Sequence, residues 1–539
     1  FCFLILLIRM RKWEYFFMEL IKDNLHMNKS KGKMVFSATV DEDFTIPEGK
    51  PGMDYKIKDM GEVCIEKVRP MEDRVSIGMC LYFGLLYNSG GNCQSYYGKA
   101  NFEETAAMVG VTGQDIVRCK ANLMDMKISV ISSHKISVRA VVLVTVSAEE
   151  IYDREVIKKI EMDNVRDERI EVRMMKLIAN RKDTFRIRES VNINQGMSNI
   201  GEIIWQELRV KDLCFTPADG RIDVKGNLSF FVIYQGENGG ELNYYDNVVP
   251  FSGNLDISNG RQEDVYDINI VSCEKSLISR NDGNGETRIF DGEIIMSLDI
   301  CGYRNEDVSL LTDIYAPGYE ITPKTEKLEY ERLVENKVVD IDINERIKNE
   351  DGGKIIYTCG DVIVDEIIQK DNKVDIEGTI SVQIMMEDKD AMPPITVSHH
   401  DIPFSYQAGM DKYEKDSELC GKVNNISLYS KRISDKEISV NGTIKMEIMA
   451  KSTTTTSVVI NADVEKVPKE KLKNIPGITG YIVKEGDSAG STDQKDNTQE
   501  GGGSSSGTGS NPSGGSGSDT GSTPSGGSTS GTDVPKEFD

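Results

Sequence analysis

One hairpin pattern recurs three times along the chain, and a chain that repeats a β-hairpin must build its core several times over from similar parts. GEVCIEKVRPMEDRVSIGMCLYFGLLY (61–87) aligns with ADGRIDVKGNLSFFVIY (218–234) and with GDVIVDEIIQKDNKVDIEGTISVQIMM (360–386). In each, a turn rich in Asp, Asn or Gly (Glu72-Asp73, Asp219-Gly220, Asp371-Asn372) precedes a basic residue, Arg74, Arg221 or Lys373. A strand of alternating apolar residues follows, which is the signature of a hairpin whose second strand buries one face. Gly226 and Gly378 stand at the same place in copies two and three, where copy one has Met79.

A second landmark lies downstream of each hairpin. Pro250-Phe251 matches Pro403-Phe404, and Asn101-Phe102 stands there in the first copy, so that copy is the most divergent. These prolines and phenylalanines are the candidate interaction positions, weighed against a plainer role as strand starts with a core anchor. Each unit closes with a long alternating strand: KISVRAVVLVTVSA (135–148), TRIFDGEIIMSLDI (287–300) and EISVNGTIKMEIMA (437–450). Period-two alternation of that length predicts a strand with one buried and one solvated face.

The expected fold is therefore mainly β: three tandem antiparallel β-sandwich or barrel-like repeat domains joined by short helical connectors, with a disordered Gly/Ser-rich C-terminal tail. The expected divisions are an apolar extension (1–17), repeat 1 (18–150), a connector (151–184), repeat 2 (185–325), a second connector (326–354), repeat 3 (355–468), a further short segment (469–488) and the tail (489–539). A spacing of about 150 residues is too long for a solenoid and lets each unit bury its own core, so beads on a string are expected. The charged stretches 151–185 and 326–353 read as spacers mixing short helices and extended pieces. After Ser488 the chain is nearly all Gly, Ser, Thr, Asp and Pro, too polar to offset its chain entropy by burial.

The 539 residues carry a formal net charge of -24, which argues against nucleic acid or an anionic membrane as partner, since no basic stripe offsets it. FCFLILLI (1–8) is too short to span a bilayer, and its basic residues follow the apolar run instead of preceding it, unlike a secretory signal. Met18 is the expected start, with 1–17 an upstream or non-native extension. Ten dispersed cysteines without a CxxC pair read as reduced thiols of a cytosolic protein, several of them, such as Cys80 and Cys301, inside apolar strands.

No catalytic constellation emerges, and no cofactor or metal is expected. The histidines are His26, His134, His399 and His400. The adjacent pair His399-His400 would point to opposite faces of a strand and could not chelate one ion. There is no GxSxG elbow and no phosphate loop, and NDGNGETR (281–288) lacks the spaced ligands of an EF-hand and sits at a hairpin turn. The chain is read as a non-enzyme.

These residues carry a resemblance. The triplicated unit resembles the SPOCS domain of SipL-like spore-coat assembly proteins of endospore-forming Firmicutes. The resemblance takes in MELIKDNLHMNKSKGKM (18–34), TIPEGKPGMD (45–54), KDTFRIRESVNI (182–193), IGEIIWQELRVKD (200–212), VVPFSGNLDIS (248–258) and HDIPFSYQ (400–407). It extends to the exit KEKLKNIPGITGYIVKEGDS (469–488), in which YIVKEGDS, with Tyr481, Gly486 and Asp487, is similar to the first strand and turn of a LysM module. The rest of that module is missing after Ser488. The resemblance implies a non-catalytic scaffold in coat assembly, in the mother-cell cytoplasm at the forespore or spore-coat surface. The implied partners are coat morphogenetic proteins, among them a coat-basement ATPase reached through the LysM module. A peptidoglycan-associated or cell-envelope glycan-binding protein is the alternative, weakened by the incomplete LysM.

Overall fold

The computed structural model describes residues 18–467 apart from 163, 350, 351, 389–391, 393, 413, 415 and 416. The expectations for 1–17, for Tyr481, Gly486 and Asp487, and for the tail fall outside the described residues. Among the described residues, eighteen strands follow one another with a single 3-10 turn, Glu237–Gly239. The first copy contains β1 (Glu19–Thr45), β2 (Tyr55–Met71), β3 (Arg74–Ser89), β4 (Asn92–Ala107), β5 (Ile116–Ser132) and β6 (Lys135–Glu161). The second contains β7 (Arg166–Asn192), β8 (Ile200–Ala218), β9 (Arg221–Gly236), β10 (Leu242–Asp256), β11 (Val265–Asn281) and β12 (Thr287–Tyr315). The third contains β13 (Tyr319–Lys348), β14 (Lys354–Lys370), β15 (Lys373–Glu387), β16 (Ile395–Gly409), β17 (Glu418–Ser434) and β18 (Glu437–Lys466).

Each copy repeats one antiparallel topology. Its second, third and fourth strands form an inner three-stranded sheet, and its first, sixth and fifth strands, in that order, form an outer one. The alternation seen in the sequence sets the packing: Val75 and Ile77 of β3 share a buried cluster with Val142, Val144 and Val146 of β6. Copy two does the same with Ile222, Val224 and Phe230 against Ile294, Met296 and Leu298, and copy three with Ile376 and Ile380 against Ile444 and Met446. Full burial of each such side chain stabilises the fold by roughly 1.5–3 kcal/mol. The sheets are open, so the units are sandwiches and not the barrel-like alternative.

The predicted hairpin turns are two-residue loops closed by Met71 opposite Arg74, Ala218 opposite Arg221 and Lys370 opposite Lys373. Each loop places one residue in the left-handed region, Asp73 (φ 56°), Gly220 (φ 75°) or Asp371 (φ 53°), which explains the turn chemistry. The second landmark has a register meaning. Phe251 lies opposite Gly226 and Phe404 opposite Gly378. A methyl group on Gly226 would lie 2.7 Å from the Phe251 ring, and one on Gly378 2.4 Å from the Ile363 carbonyl oxygen and 2.7 Å from the Phe404 ring. The ring thus covers the bare glycine across the strand pair, a cross-strand aromatic rescue. In the first copy Phe102 faces Met79 instead.

The stretches expected to be spacers with short helices are strand over 151–161, 166–185 and 326–348, broken only by the turns between copies or strands, and hold no described helix. The first and last strands of every copy run 27 to 30 residues, about 90 Å at a strand's rise. Each pair begins as part of the outer sheet and continues past it as a two-stranded ribbon. Bulges at Ser30/Gly32, Gly302/Tyr303 and Leu333/Glu335 mark that transition in the three copies. The ribbons then pack on one another: Met27 and Val156 from the first, Val172, Met174 and Leu310 from the second, and Leu328, Tyr330 and Val458 from the third form one cluster. Beads on a string are therefore replaced by three sandwiches joined along a shared core. Charge hid this arrangement, because Glu171 and Arg173 are exposed on either side of buried Val172.

Candidate functional site

Among the described residues, the densest clusters of buried charge are two polar junctions where all three copies meet. The inner junction is built by the inner sheets. Lys58 on β2 sits 1% exposed in side chain and reaches Glu207 Oε1 on β8 at 2.9 Å and Gln383 Oε1 on β15 at 2.7 Å. The Trp205 indole N–H donates to Glu207 Oε1 at 2.9 Å, and Arg209 donates to Glu207 Oε2 (3.3 Å) and Asp361 (3.2 Å). Aromatic stacking seals the site: Tyr97 lies on Trp205, and Phe231 lies on Tyr357 with ring centroids 3.9 Å apart.

The electrostatics follow from the pairing. Burial alone would raise the Glu207 carboxyl, but Lys58 and Arg209 outweigh it and bring it down to about 2. Burial works against the Lys58 charge too, yet Glu207 holds the ammonium above its ordinary range. Both partners are thus ionised at neutral pH. A buried pair satisfied in this way ties the copies into one register, whereas removing one partner strands a charge in a dry site.

The second junction lies at the base of the ribbons. Arg118 of β5 donates to Glu149 of β6 (2.7 Å), Asp267 of β11 (2.8 Å) and the Tyr303 hydroxyl of β12 (2.8 Å). Lys451 of β18 lies over the Tyr303 ring, 4.6 Å from its centroid. Burial opposes the charge on Asp267, but Lys120 and Arg118 lower it below the ordinary carboxylate range. Lys422 of β17, whose ammonium burial pushes down, donates to the Ile268 carbonyl of β11.

Between the first and second copies lies a cavity of about 470 Å³ lined in part by Cys64, Cys119, Cys273, Lys182 and Asp299. Burial pushes Cys119 and Cys273 up to about 12, so their thiols are protonated at neutral pH and are poor nucleophiles. The nine described cysteines are free thiols, Cys80 and Cys301 fully buried among them. Among the described residues no group of three or more His, Cys, Asp or Glu side chains is placed to hold a metal ion. Asp282 takes the N–H groups of Asn284 (2.8 Å) and Glu286 (3.1 Å), so the NDGNGETR stretch is a self-closed hairpin turn. His399 and His400 follow one another on β16, His399 exposed and His400 half-buried.

The nominated landmarks are spread over two copies and are not brought to one place. Phe251 is a buried core ring beside Phe185, and Phe404 packs on the core of its own copy. Pro250 and Pro403 sit on the edge strands β10 and β16. Sequence reasoning missed Lys58, Glu207 and Arg118 altogether, since their partners in other copies are 149 to 325 residues away and no local pattern marks them.

The match that bears on this geometry is to a protein family. Residues 56–131 and 199–274 match the SipL, SPOCS domain. The two SPOCS matches cover β2 through most of β5 in the first copy and the equivalent β8 to mid-β11 in the second. Both include the hairpin and its Phe landmark, and together they hold Lys58, Glu207 and Arg118. The third copy repeats the strand order and the Gly–Phe register of the second SPOCS unit. No curated protein and no solved structure matches the chain. No described helix is long and apolar enough to cross a membrane.

Proposed function

We propose that the chain is a non-catalytic scaffold of endospore coat assembly that binds coat morphogenetic proteins at the forespore surface from the mother-cell cytoplasm. The observation that carries this reading is the SPOCS match in two copies, whose buried charged residues serve to lock copy to copy. A chain whose best-organised polar groups are spent on internal register offers surfaces and edges to partners, which is what a scaffold needs. The Cys119 and Cys273 thiols in the cavity between the first two copies are held protonated, which fits a binding protein better than an acyl-transfer or redox enzyme. The family's contact with a coat-basement ATPase runs through a LysM module, of which only the start around Tyr481, Gly486 and Asp487 is present, so the three repeat units are the surfaces proposed to bind partners.

The test is localisation combined with capture. In sporulating cells a fluorescent fusion should ring the forespore, and affinity capture should return coat morphogenetic proteins. Diffuse fluorescence in vegetative cells, with capture of none of those proteins, rejects the proposal. Retention on insoluble peptidoglycan that is lost with residues 481–539 would transfer the reading to glycan binding.

A further inference from the structure

The three inner sheets end in equivalent edge strands, β4, β10 and β16, and these edges are not equally protected. Pro250 faces Asn227 and Pro403 faces Thr379, each one step past the Phe–Gly pair. Proline has no N–H, so it fits an edge strand at a position whose amide would point outward, and there it blocks an added strand. The β10 edge is blunted again two residues earlier, where the Val248 amide is taken by the Asn247 side chain at 2.9 Å. In the first copy the equivalent residue is Asn101, opposite Cys80. Asn101 keeps its amide. The outward phase of β4 is confirmed at Ser95, six residues away, whose carbonyl accepts from the Lys50 ammonium at 2.6 Å. From Tyr97 to Thr105, no described residue takes the outward backbone groups of this edge.

The side chains along this edge say what fits it. Lys99, Asn101, Glu103 and Thr105 alternate onto one exposed face, and Tyr97, in the same phase, turns its ring onto Trp205. Laid antiparallel on its own copy about Asn101, β4 sets Lys99 opposite Glu103 of the second chain and Glu103 opposite its Lys99, with Asn101 facing Asn101. Opposite charges directly across an antiparallel pair are stabilising, and like charges there are not. Lys99 has no ion-pair partner among the described residues, and the Glu103 carboxylate takes only the Ser76 hydroxyl. A self-complementary edge is what a two-fold, isologous contact requires. We infer that the chain pairs with a second copy of itself through the β4 edge, two inner sheets joining into one six-stranded sheet about Asn101. Copies two and three are kept out of this pairing by their prolines.

Sedimentation velocity of the full chain over a micromolar concentration series tests the pairing. The wild-type chain should dimerise reversibly. Asn101→Pro, which installs the residue that the other copies carry, should raise the dissociation constant at least roughly tenfold. Should that variant fold poorly by circular dichroism, Lys99→Glu decides the matter, since it turns both cross-strand attractions into repulsions and should give monomer. Lys99→Glu combined with Glu103→Lys restores opposite charges and should recover the dimer. A wild-type chain that stays monomeric, as it would if the edge served only a foreign peptide strand, overturns the inference. So does a dimer that N101P and K99E leave intact, or a loss that the double variant does not restore.

Discussion

The sandwiches and the junctions between them are built from the same strands but held by opposite means. Within a sandwich, dozens of apolar side chains from facing sheets interlock, and the loss of one leaves many. At the inner junction one ammonium, one guanidinium, two carboxylates and one amide, sealed by two aromatic stacks, bring three copies into register. The first arrangement is redundant and tolerant of sequence change. The second is concentrated in a few residues, each indispensable to the others, because a buried charge without its partner costs more than the pair contributes.

That contrast can be broken at Lys58. Lys58→Met removes one of the cations that neutralise Glu207 and should cost about 3–5 kcal/mol in chemical denaturation. A loss below about 1 kcal/mol would mean the junction is no more fragile than the sandwich core. A backbone-limited site inside a sandwich comes next. Gly378→Ala would press a methyl against the Ile363 carbonyl and the Phe404 ring and should cost about 1–3 kcal/mol, as overpacking does. The same change at Gly113, where the nearest atom is 3.9 Å away, should be tolerated.

Acid sharpens the comparison. The Glu207 carboxyl is held at about 2 against an ordinary 4.5, so its contribution is full above pH 4.5 and is lost as pH falls towards 2. Glu207→Gln should lower stability at neutral pH and flatten the acid limb in that window, read from urea midpoints at successive pH values. An unchanged limb would show that other carboxylates govern it. At the small end, the exposed ribbon pair Arg173–Asp307 is screened by water and salt, and Asp307→Asn should leave the unfolding midpoint within error.

How much could be read from the sequence divides along the same line. The hairpin turns and the alternating closing strands are local, and each was visible as residue types at fixed spacing, as were the recurring glycines and Pro-Phe landmarks, but that Phe251 faces Gly226 and Phe404 faces Gly378 needed the strand register. The ribbons were not, since a two-stranded ribbon wedged between two others buries one narrow face: Val172 and Met174 show every second residue, while Asp167, Glu168, Glu171 and Arg173 supply the charge that reads as a spacer. Lys58 lies in KIKDM, where nothing separates it from Lys56. Its place is fixed by Glu207 and Gln383 in other copies, and a contact of that sequence separation leaves no trace in either neighbourhood. The divergence of the first copy was legible at Met79 and Asn101, but that Asn101 lies on an edge strand needed the sheet order.

The ribbons also determine how the molecule carries tension. The start of β1 at Glu19 pairs with Glu161, and the end of β18 at Lys466 pairs with Tyr319. Leu20, Ile160, Val165, Ile314, Ile321 and Ala462 gather near these points in one apolar cluster, so the described chain enters and leaves at the same ribbon end. A pull applied through Glu19 and Lys466 peels β1 from β6 and β18 from β13 one backbone pair at a time, instead of shearing whole strands at once. The ribbons would yield at low force while the sandwiches stay folded, which gives a protein strung between two anchors a length of slack before its cores are strained.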